Sequence, residues 1–160
     1  MILWRIAAET RQYKCDDLSG MAAARNPGRW NEAGQPVVYA ALTMALAVLE
    51  TTAHIDDGGL PLNRFLVQIE VPASIWRKRR ELDIATLPPN WSAIPAGATS
   101  VGIGAAWLAE RTSPLLLVPS VILPEDRVAL INPLHPDAHH LHARTVRPFE
   151  YSRLFRPSKK

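Results

Sequence analysis

The sequence predicts a mixed α+β fold that forms a single domain over residues 1–160. Apolar runs typical of strands alternate irregularly with helix-like segments, which favours α+β over a regular parallel sheet. The 14 prolines are spread along the 160 residues, so we expect short elements separated by turns. No Gly/Ser linker marks a domain boundary, and a chain of this length buries enough surface for a core without disulfide bonds.

The N-terminal third predicts two strands separated by a long connection. Residues 3–7 and 36–41 are apolar and strand-like, with Val37, Val38 and Tyr39 at the centre of the second run. An irregular polar loop is expected over residues 9–28, which contain the breakers Gly20, Asn26, Pro27 and Gly28. Gly34 and Gln35 predict a turn before the second strand.

A helix is predicted over residues 44–54, with Thr43 as its N-cap. Nearly every side chain of this segment is apolar, which predicts a buried helix. Glu50 is the exception, and desolvating an unpaired carboxylate costs several kcal/mol. Glu50 is therefore a candidate functional residue.

The C-terminal two thirds predict one more helix and several strands. The helix is expected over residues 98–111. The strands are expected over residues 65–71, 115–118, 128–131 and 145–151.

Composition and charge limit the classes of protein to which this chain can belong. The net charge is +3, and the basic residues cluster at Arg77–Arg80 and in the tail at Arg153, Arg156, Lys159 and Lys160. Such clusters indicate solvated faces or contact with an acidic partner, and no nucleic-acid-binding motif accompanies them. Cys15 is a single cysteine and cannot form an internal disulfide. With no signal peptide or membrane span in the sequence, we expect a cytoplasmic protein with no membrane contact.

The most informative residues are Arg29, Tyr39 and Glu50, which are ten and eleven residues apart. If Arg29 and Tyr39 lie on adjacent strands and Glu50 lies on the next helix, the three side chains converge on one cleft. Arginine presents a planar fork to a diphosphate, tyrosine stacks on a flat ring, and a carboxylate can hold a ribose hydroxyl. This combination suits a nucleotide. The alternatives are a surface ion pair for Arg29, a core position for Tyr39 and a carboxylate satisfied by a neighbour for Glu50.

Two polar residues in apolar surroundings are further candidates. Ser120 follows Pro119 between strand-like runs, and without a G-x-S-x-G motif it is expected to donate a hydrogen bond to a ligand or to serve as a turn residue. Asn132 precedes Pro133, which is typical of a turn, although its amide could equally brace the cleft.

The histidines do not predict a metal site. His135, His139, His140 and His142 are close in sequence, but their spacing fits no standard zinc signature and no cysteine pair accompanies them. We interpret this segment as a solvated loop and expect no metal.

Several of these motifs together resemble the RES domain, a family named for its Arg, Glu and Ser. The motifs are Gly28-Arg29-Trp30-Asn31, Gly34, Pro36-Val37-Val38-Tyr39, Leu49-Glu50 with His54, Pro119-Ser120 and Asn132-Pro133. Similar matches extend from Leu3-Trp4-Arg5-Ile6 through Trp91 and Gly104 to Phe149. Gly102-Ile103-Gly104-Ala105 stands where the family pattern has a Gly-Asp pair, which leaves the role of that helix start open.

The resemblance implies a toxin of a type II toxin–antitoxin pair with an ADP-ribosyltransferase-like fold, in which helices flank a central β-sheet. It implies NAD+ as substrate, an Xre-type helix-turn-helix antitoxin as partner, and growth arrest. Family members degrade NAD+, some by phosphorolysis, or transfer ADP-ribose to a protein such as phosphoribosyl pyrophosphate synthetase.

The family's catalytic residues fall on Arg29, Tyr39, Glu50 and Ser120 of this chain. The resemblance and the residues together predict that Arg29, Tyr39, Gly28, Trp30, Asn31 and Asn132 contact NAD+. Arg29 would hold the phosphates, Tyr39 would stack on the nicotinamide or its ribose, Glu50 would hold the ribose, and Ser120 would position the ligand.

Other classes of function stay open from the sequence. One is a basic module that binds nucleic acid through Arg77–Arg80 and the tail. Another is a ribonuclease-type toxin that uses His54 or the late histidines as acid and base. The residues also leave open whether the chain forms a homodimer.

Overall fold

The computed structural model describes residues 1–55 and 58–155. Arg156, Lys159 and Lys160 of the predicted basic tail lie outside the described residues. The strands are β1 Ile2–Ala8, β2 Val38–Ala41, β3 Arg64–Glu70, β4 Arg80–Glu81, β5 Leu115–Pro119, β6 Arg127–Ile131 and β7 His142–Phe149. The α-helices are α1 Met21–Arg25, α2 Met44–Thr52, α3 Ala73–Trp76 and α4 Ala98–Glu110. Short 3-10 helices lie at Ile84–Thr86, Pro89–Ser92, Pro136–His140 and Tyr151–Leu154.

The strands form one seven-stranded sheet in the order β4-β5-β6-β2-β1-β3-β7. The β4–β5 pair is parallel and the other neighbours are antiparallel, which confirms the α+β prediction. β1 pairs with β3 along its full length but shares only the pair Trp4↔Ala41 with β2. β1 and β2 therefore diverge on either side of this pair.

Apolar side chains cover both faces of the sheet. One face packs Trp30, Leu46, Trp91 and Leu130 into a core cluster. The other face packs residues such as Leu3, Val67 and Ile131 into a second cluster. Because successive strand residues point to opposite faces, a strand covered on both sides reads as a continuous apolar run, as β5 and β6 do.

Helix α2 begins as predicted but is not a buried helix. Thr43 Oγ1 accepts a hydrogen bond from the Leu46 amide at 3.1 Å, which confirms the N-cap. Leu46 and Ala47 face the core, whereas Met44 is 47% exposed. The prediction of burial was wrong because α2 has the sheet on one side only, and its apolar composition does not reveal which side that is.

Two other predictions differ from the structure. The expected irregular loop over residues 9–28 contains α1, which begins after Gly20 in the left-handed region at φ 73°. The last strand runs over His142–Phe149, earlier than predicted, and Tyr151 lies in a 3-10 helix. β7 is an exposed edge strand whose length is set by pairing with β3, as in Glu70↔His142, and not by an apolar pattern.

No helix among residues 1–55 and 58–155 is long and apolar enough to cross a membrane.

Helix α4 packs directly against the turn that carries Arg29. A Cβ added at Gly104 would lie 1.9 Å from the Trp30 carbonyl oxygen. Gly102 and Gly104 are inside α4 and not at a helix start. The absence of a side chain at Gly104 lets the helix backbone touch the turn.

We predict that Gly104→Ala destabilises the protein by about 3 kcal/mol or more, because the backbone of Trp30 must move to admit the methyl group. Gly102→Ala is the matched control, since a Cβ there meets nothing within 4 Å. The control should gain up to about 1 kcal/mol from helix propensity. Urea unfolding of both variants measures this, and equal stability of the two would contradict the packing.

Candidate active site

Arg29 lies on a turn between α1 and β2, so the condition that Arg29 and Tyr39 lie on adjacent strands is not met. The turn is closed by the Asn31 side chain, whose Oδ1 accepts a hydrogen bond from the Gly28 amide at 2.8 Å. Gly28 and Arg29 are partly buried, and Trp30 is buried. A side-chain acceptor, and not strand pairing, therefore fixes this turn.

Asn31 is the centre of a buried hydrogen-bond network. Its side chain is 1% exposed, and Nδ2 lies within hydrogen-bond distance of the carbonyl oxygens of Ala23, Glu32 and Gln35 at 2.9–3.1 Å. Oδ1 accepts from the Gly28 amide and from the Tyr39 hydroxyl. Because protein groups use both ends of the amide, Asn31 shapes the site in this structure. Its predicted contact with a ligand stays a prediction.

Tyr39 lies on β2 and is locked to the Arg29 turn. Its hydroxyl accepts from the Trp30 amide and donates to Asn31 Oδ1, both at 2.9 Å. A Cβ at Gly28 would lie 2.8 Å from the Tyr39 ring, so only glycine allows this approach. Burial raises the pKa of Tyr39 to about 12, although the Trp30 hydrogen bond and the Arg29 charge act in the opposite direction. Tyr39 therefore stays protonated at neutral pH.

The Arg29 guanidinium is oriented by two backbone carbonyls. Nη1 donates to the Trp91 oxygen at 3.0 Å and to the Ala93 oxygen at 2.8 Å. The Trp91 ring stacks on Trp30 with a centroid distance of 6.2 Å. Sequence analysis noted Trp91 only as a motif residue and missed both carbonyls, because a backbone acceptor leaves no mark in the sequence.

Glu50 projects from α2 toward this arginine. Burial lowers the pKa of Arg29, and the charge of Glu50 partly opposes that effect, so the two groups act on each other electrostatically. Within the described residues, the buried Glu50 Oε1 has no hydrogen-bond partner. A buried carboxylate oxygen without a partner is costly, and such atoms are typical of sites that bind a ligand.

Ser120 and Asn132 both make hydrogen bonds to the backbone. The register places Ser120 two strands and four residues from Tyr39, roughly 16 Å by strand geometry. Ser120 Oγ accepts hydrogen bonds from the amides of Ile122 and Leu123, so it closes a turn. Asn132 is fully buried, and its amide donates to the Leu108 oxygen. Direct contact of either side chain with a ligand stays a prediction.

The late histidines hold their own loop in place. His135 Nδ1 accepts from the Asp137 amide at 3.0 Å, and the rings of His139 and His140 are 3.8 Å apart. Over residues 1–55 and 58–155, no group of three or more His, Cys, Asp and Glu side chains has an arrangement that could hold a metal ion.

Comparison with known proteins gives matches over most of the chain. A family model described as the RES domain matches residues 2–153. The Prs ADP-ribosylating toxin of Sphingobium sp. is 51% identical over 148 residues, which cover 92% of this chain and 92% of that protein. Toxin Res of Pseudomonas putida is 38% identical over 157 residues, covering 97% and 100%. Toxin Res of Yersinia enterocolitica is 38% identical over 135 residues, covering 84% and 86%.

We predict that Asn31→Asp destabilises the protein by about 3 kcal/mol or more, because it removes the amide N–H donors and places a charge beside three carbonyls. The exposed Asn26 is the matched control, and Asn26→Asp should change stability by less than about 0.5 kcal/mol. Urea unfolding at pH 7 measures both. Equal effects would show that Asn31 does not hold the turn.

The Tyr39 hydroxyl should make stability depend on pH in the alkaline range. The folded pKa of about 12 exceeds the ordinary value of 10.0, so the folded chain keeps a proton that the unfolded chain releases. The stabilisation is present below pH 10 and is lost as pH rises toward 12, by about 2.7 kcal/mol. Unfolding free energies at pH 9 and pH 12 should show this loss in the native chain and not in Tyr39→Phe. Parallel curves for the two proteins would refute it.

Proposed function

The chain belongs to the RES domain family, and from this premise we propose that it is a toxin that uses NAD+ and transfers the ADP-ribose group to a protein. The observation that carries the proposal is the half-buried Glu50 side chain, whose buried Oε1 has no hydrogen-bond partner among the described residues and whose charge acts on Arg29. The relative from Sphingobium, similar over 92% of this chain, is named as an ADP-ribosylating toxin, which favours a protein acceptor over water or phosphate.

Arg29 and Glu50 have different roles in the proposed chemistry. Both hydrogen bonds of Arg29 are made by Nη1, so Nε and Nη2 form none within the described residues. We assign these N–H groups to the diphosphate of NAD+, since an arginine fork matches phosphate oxygens. The Glu50 oxygen would accept a hydrogen bond from a ribose hydroxyl.

In the reaction, the bond between the nicotinamide nitrogen and the ribose carbon breaks, and nicotinamide leaves with the electron pair. The ribose passes through an oxocarbenium-like cation, which the Glu50 carboxylate stabilises. A nucleophilic side chain of the target protein bonds to that carbon and loses its proton. Tyr39 takes no part in proton transfer, because its hydroxyl stays protonated. It would position the substrate, since hydrogen bonds to Trp30 and Asn31 fix its side chain.

We also propose an Xre-type helix-turn-helix antitoxin as the partner. An enzyme that consumes NAD+ in the cytoplasm of its own cell is harmful, so an inhibitor must cover the cleft. The exposed basic residues Arg77 and Lys78 are candidate contacts for an acidic surface of this partner, since complementary charge speeds association. Co-purification with a helix-turn-helix protein encoded beside the toxin tests this.

We predict that Glu50→Gln lowers nicotinamide release from NAD+ by about 100-fold or more, because it removes the charge that stabilises the cation and keeps the size of the side chain. Glu125→Gln, at an exposed glutamate, is the matched control with the same change of charge and should retain full activity. Circular dichroism must show both variants folded.

The assay uses labelled NAD+ with and without phosphate and with and without purified phosphoribosyl pyrophosphate synthetase. Label on the synthetase supports the proposed transfer. Rapid turnover in buffer alone would replace it with NAD+ degradation, and dependence on phosphate would identify phosphorolysis. No turnover in any mixture, or full activity of Glu50→Gln, would overturn the assignment of the site.

A further inference from the structure

An exposed apolar loop lies beside the Arg29 guanidinium. It consists of Ala93, Ile94, Pro95 and Ala96, and all four residues are exposed. Ile94 is 83% exposed, and neither core cluster of the described residues contains it. Single exposed apolar residues are ordinary on a protein surface, whereas a run of four consecutive ones is typical of a contact surface. Packing of the domain therefore does not account for this loop.

The loop is held at both ends and is tied to the candidate active site. On its N-terminal side, Trp91 is buried and stacks on Trp30. On its C-terminal side, Ser100 in the first turn of α4 is fully buried. Between these anchors, the Ala93 carbonyl oxygen accepts a hydrogen bond from Arg29 Nη1 at 2.8 Å. A loop that is held in this way loses little conformational freedom when another molecule packs on it.

Ile94 is close to Arg29 although it faces solvent. Three covalent bonds, each about 1.2–1.5 Å long, join the Ala93 oxygen to the Ile94 Cα. Since the hydrogen bond from Arg29 Nη1 to that oxygen measures 2.8 Å, the Ile94 Cα lies within about 7 Å of Nη1. The loop is therefore part of the rim around the group that would hold the diphosphate of NAD+.

The proposed transfer to a protein places a requirement on this rim. A folded acceptor is too large to enter the site, so it brings one nucleophilic side chain to the ribose carbon while its surface stays outside. That surface then packs against the residues around Arg29 and Glu50. Binding of NAD+ inside the site gives no role to an isoleucine that faces solvent. A protein acceptor does, because apolar side chains form the buried centre of protein–protein contacts.

We propose that residues 93–96 are a docking surface for the acceptor protein, and that Ile94 inserts into an apolar depression on that protein. This inference rests on the proposed function, since it names the surface that receives the acceptor of ADP-ribose. It assigns Ile94 to recognition of the acceptor and not to the chemistry at NAD+. Burial of an isoleucine changes affinity by about tenfold or more.

The first test measures binding without NAD+, by calorimetric titration with purified phosphoribosyl pyrophosphate synthetase as the probe. Ile94→Ser should weaken binding about tenfold or more. Ile94→Leu keeps an apolar side chain of the same size and should bind as the native chain does. Leu62→Ser is the matched control, because Leu62 is also 83% exposed and precedes β3, which β1 separates from β2. It should bind as the native chain does.

The second test measures transfer of label from NAD+ to the synthetase at several synthetase concentrations. Ile94→Ser should raise KM for the synthetase about tenfold and leave kcat unchanged, because the variant loses contact with the acceptor and keeps the Ala93 carbonyl that orients Arg29. Leu62→Ser should leave both constants unchanged. A lower kcat with an unchanged KM would overturn the proposal, since Ile94 would then act on the chemistry.

The binding test separates failure of this proposal from failure of the proposed function. Weaker binding by Ile94→Ser and not by Leu62→Ser supports the docking surface, and absence of label transfer in the same preparation would count against the proposed reaction alone. Equal affinities for the two variants, or no binding of the synthetase by the native chain, would overturn the docking surface. If Ile94→Ser does not fold, Ala96→Asp replaces it and places a charge on the same exposed loop. Native affinity in that variant would overturn the proposal.

Discussion

The buried amide of Asn31 is the interaction on which the candidate active site depends. It holds the Gly28 amide, the Tyr39 hydroxyl and three carbonyl oxygens in one network. The connection between α1 and β2 has little regular structure, so these contacts replace the hydrogen bonds that a helix or sheet would supply. Arg29 is placed by this network, and α4 can approach the turn because Gly104 has no side chain.

Two charged side chains near that turn, Arg29 and Glu50, have fewer hydrogen-bond partners than they can accommodate. Arg29 has backbone partners for Nη1 only, and Glu50 Oε1 has none among the described residues. Neither arrangement is the one that best stabilises a fold, since a closer ion pair would satisfy both groups. Sites that bind a charged ligand tolerate this cost, because the ligand supplies the missing partners.

The local sequence was sufficient to predict the elements that depend on neighbouring residues in the chain. Thr43 caps α2 through a residue three positions away, and β5 and β6 are apolar because both faces of the sheet are covered. Local sequence was insufficient where distant residues decide the outcome. The apolar composition of α2 did not show which side faces solvent, and the limits of β7 come from pairing with β3. The short α1 was missed because the breakers around it indicated a loop.

Residue type and spacing predict the α+β class, the main strands and the candidate set Arg29, Tyr39 and Glu50. How these side chains are held depends on contacts between segments that are distant in the sequence. The carbonyls of Trp91 and Ala93 that orient Arg29 are more than sixty residues away and belong to the backbone, which any residue provides. The fold also sets the distance between Ser120 and Tyr39, since distance across a sheet depends on strand order and register.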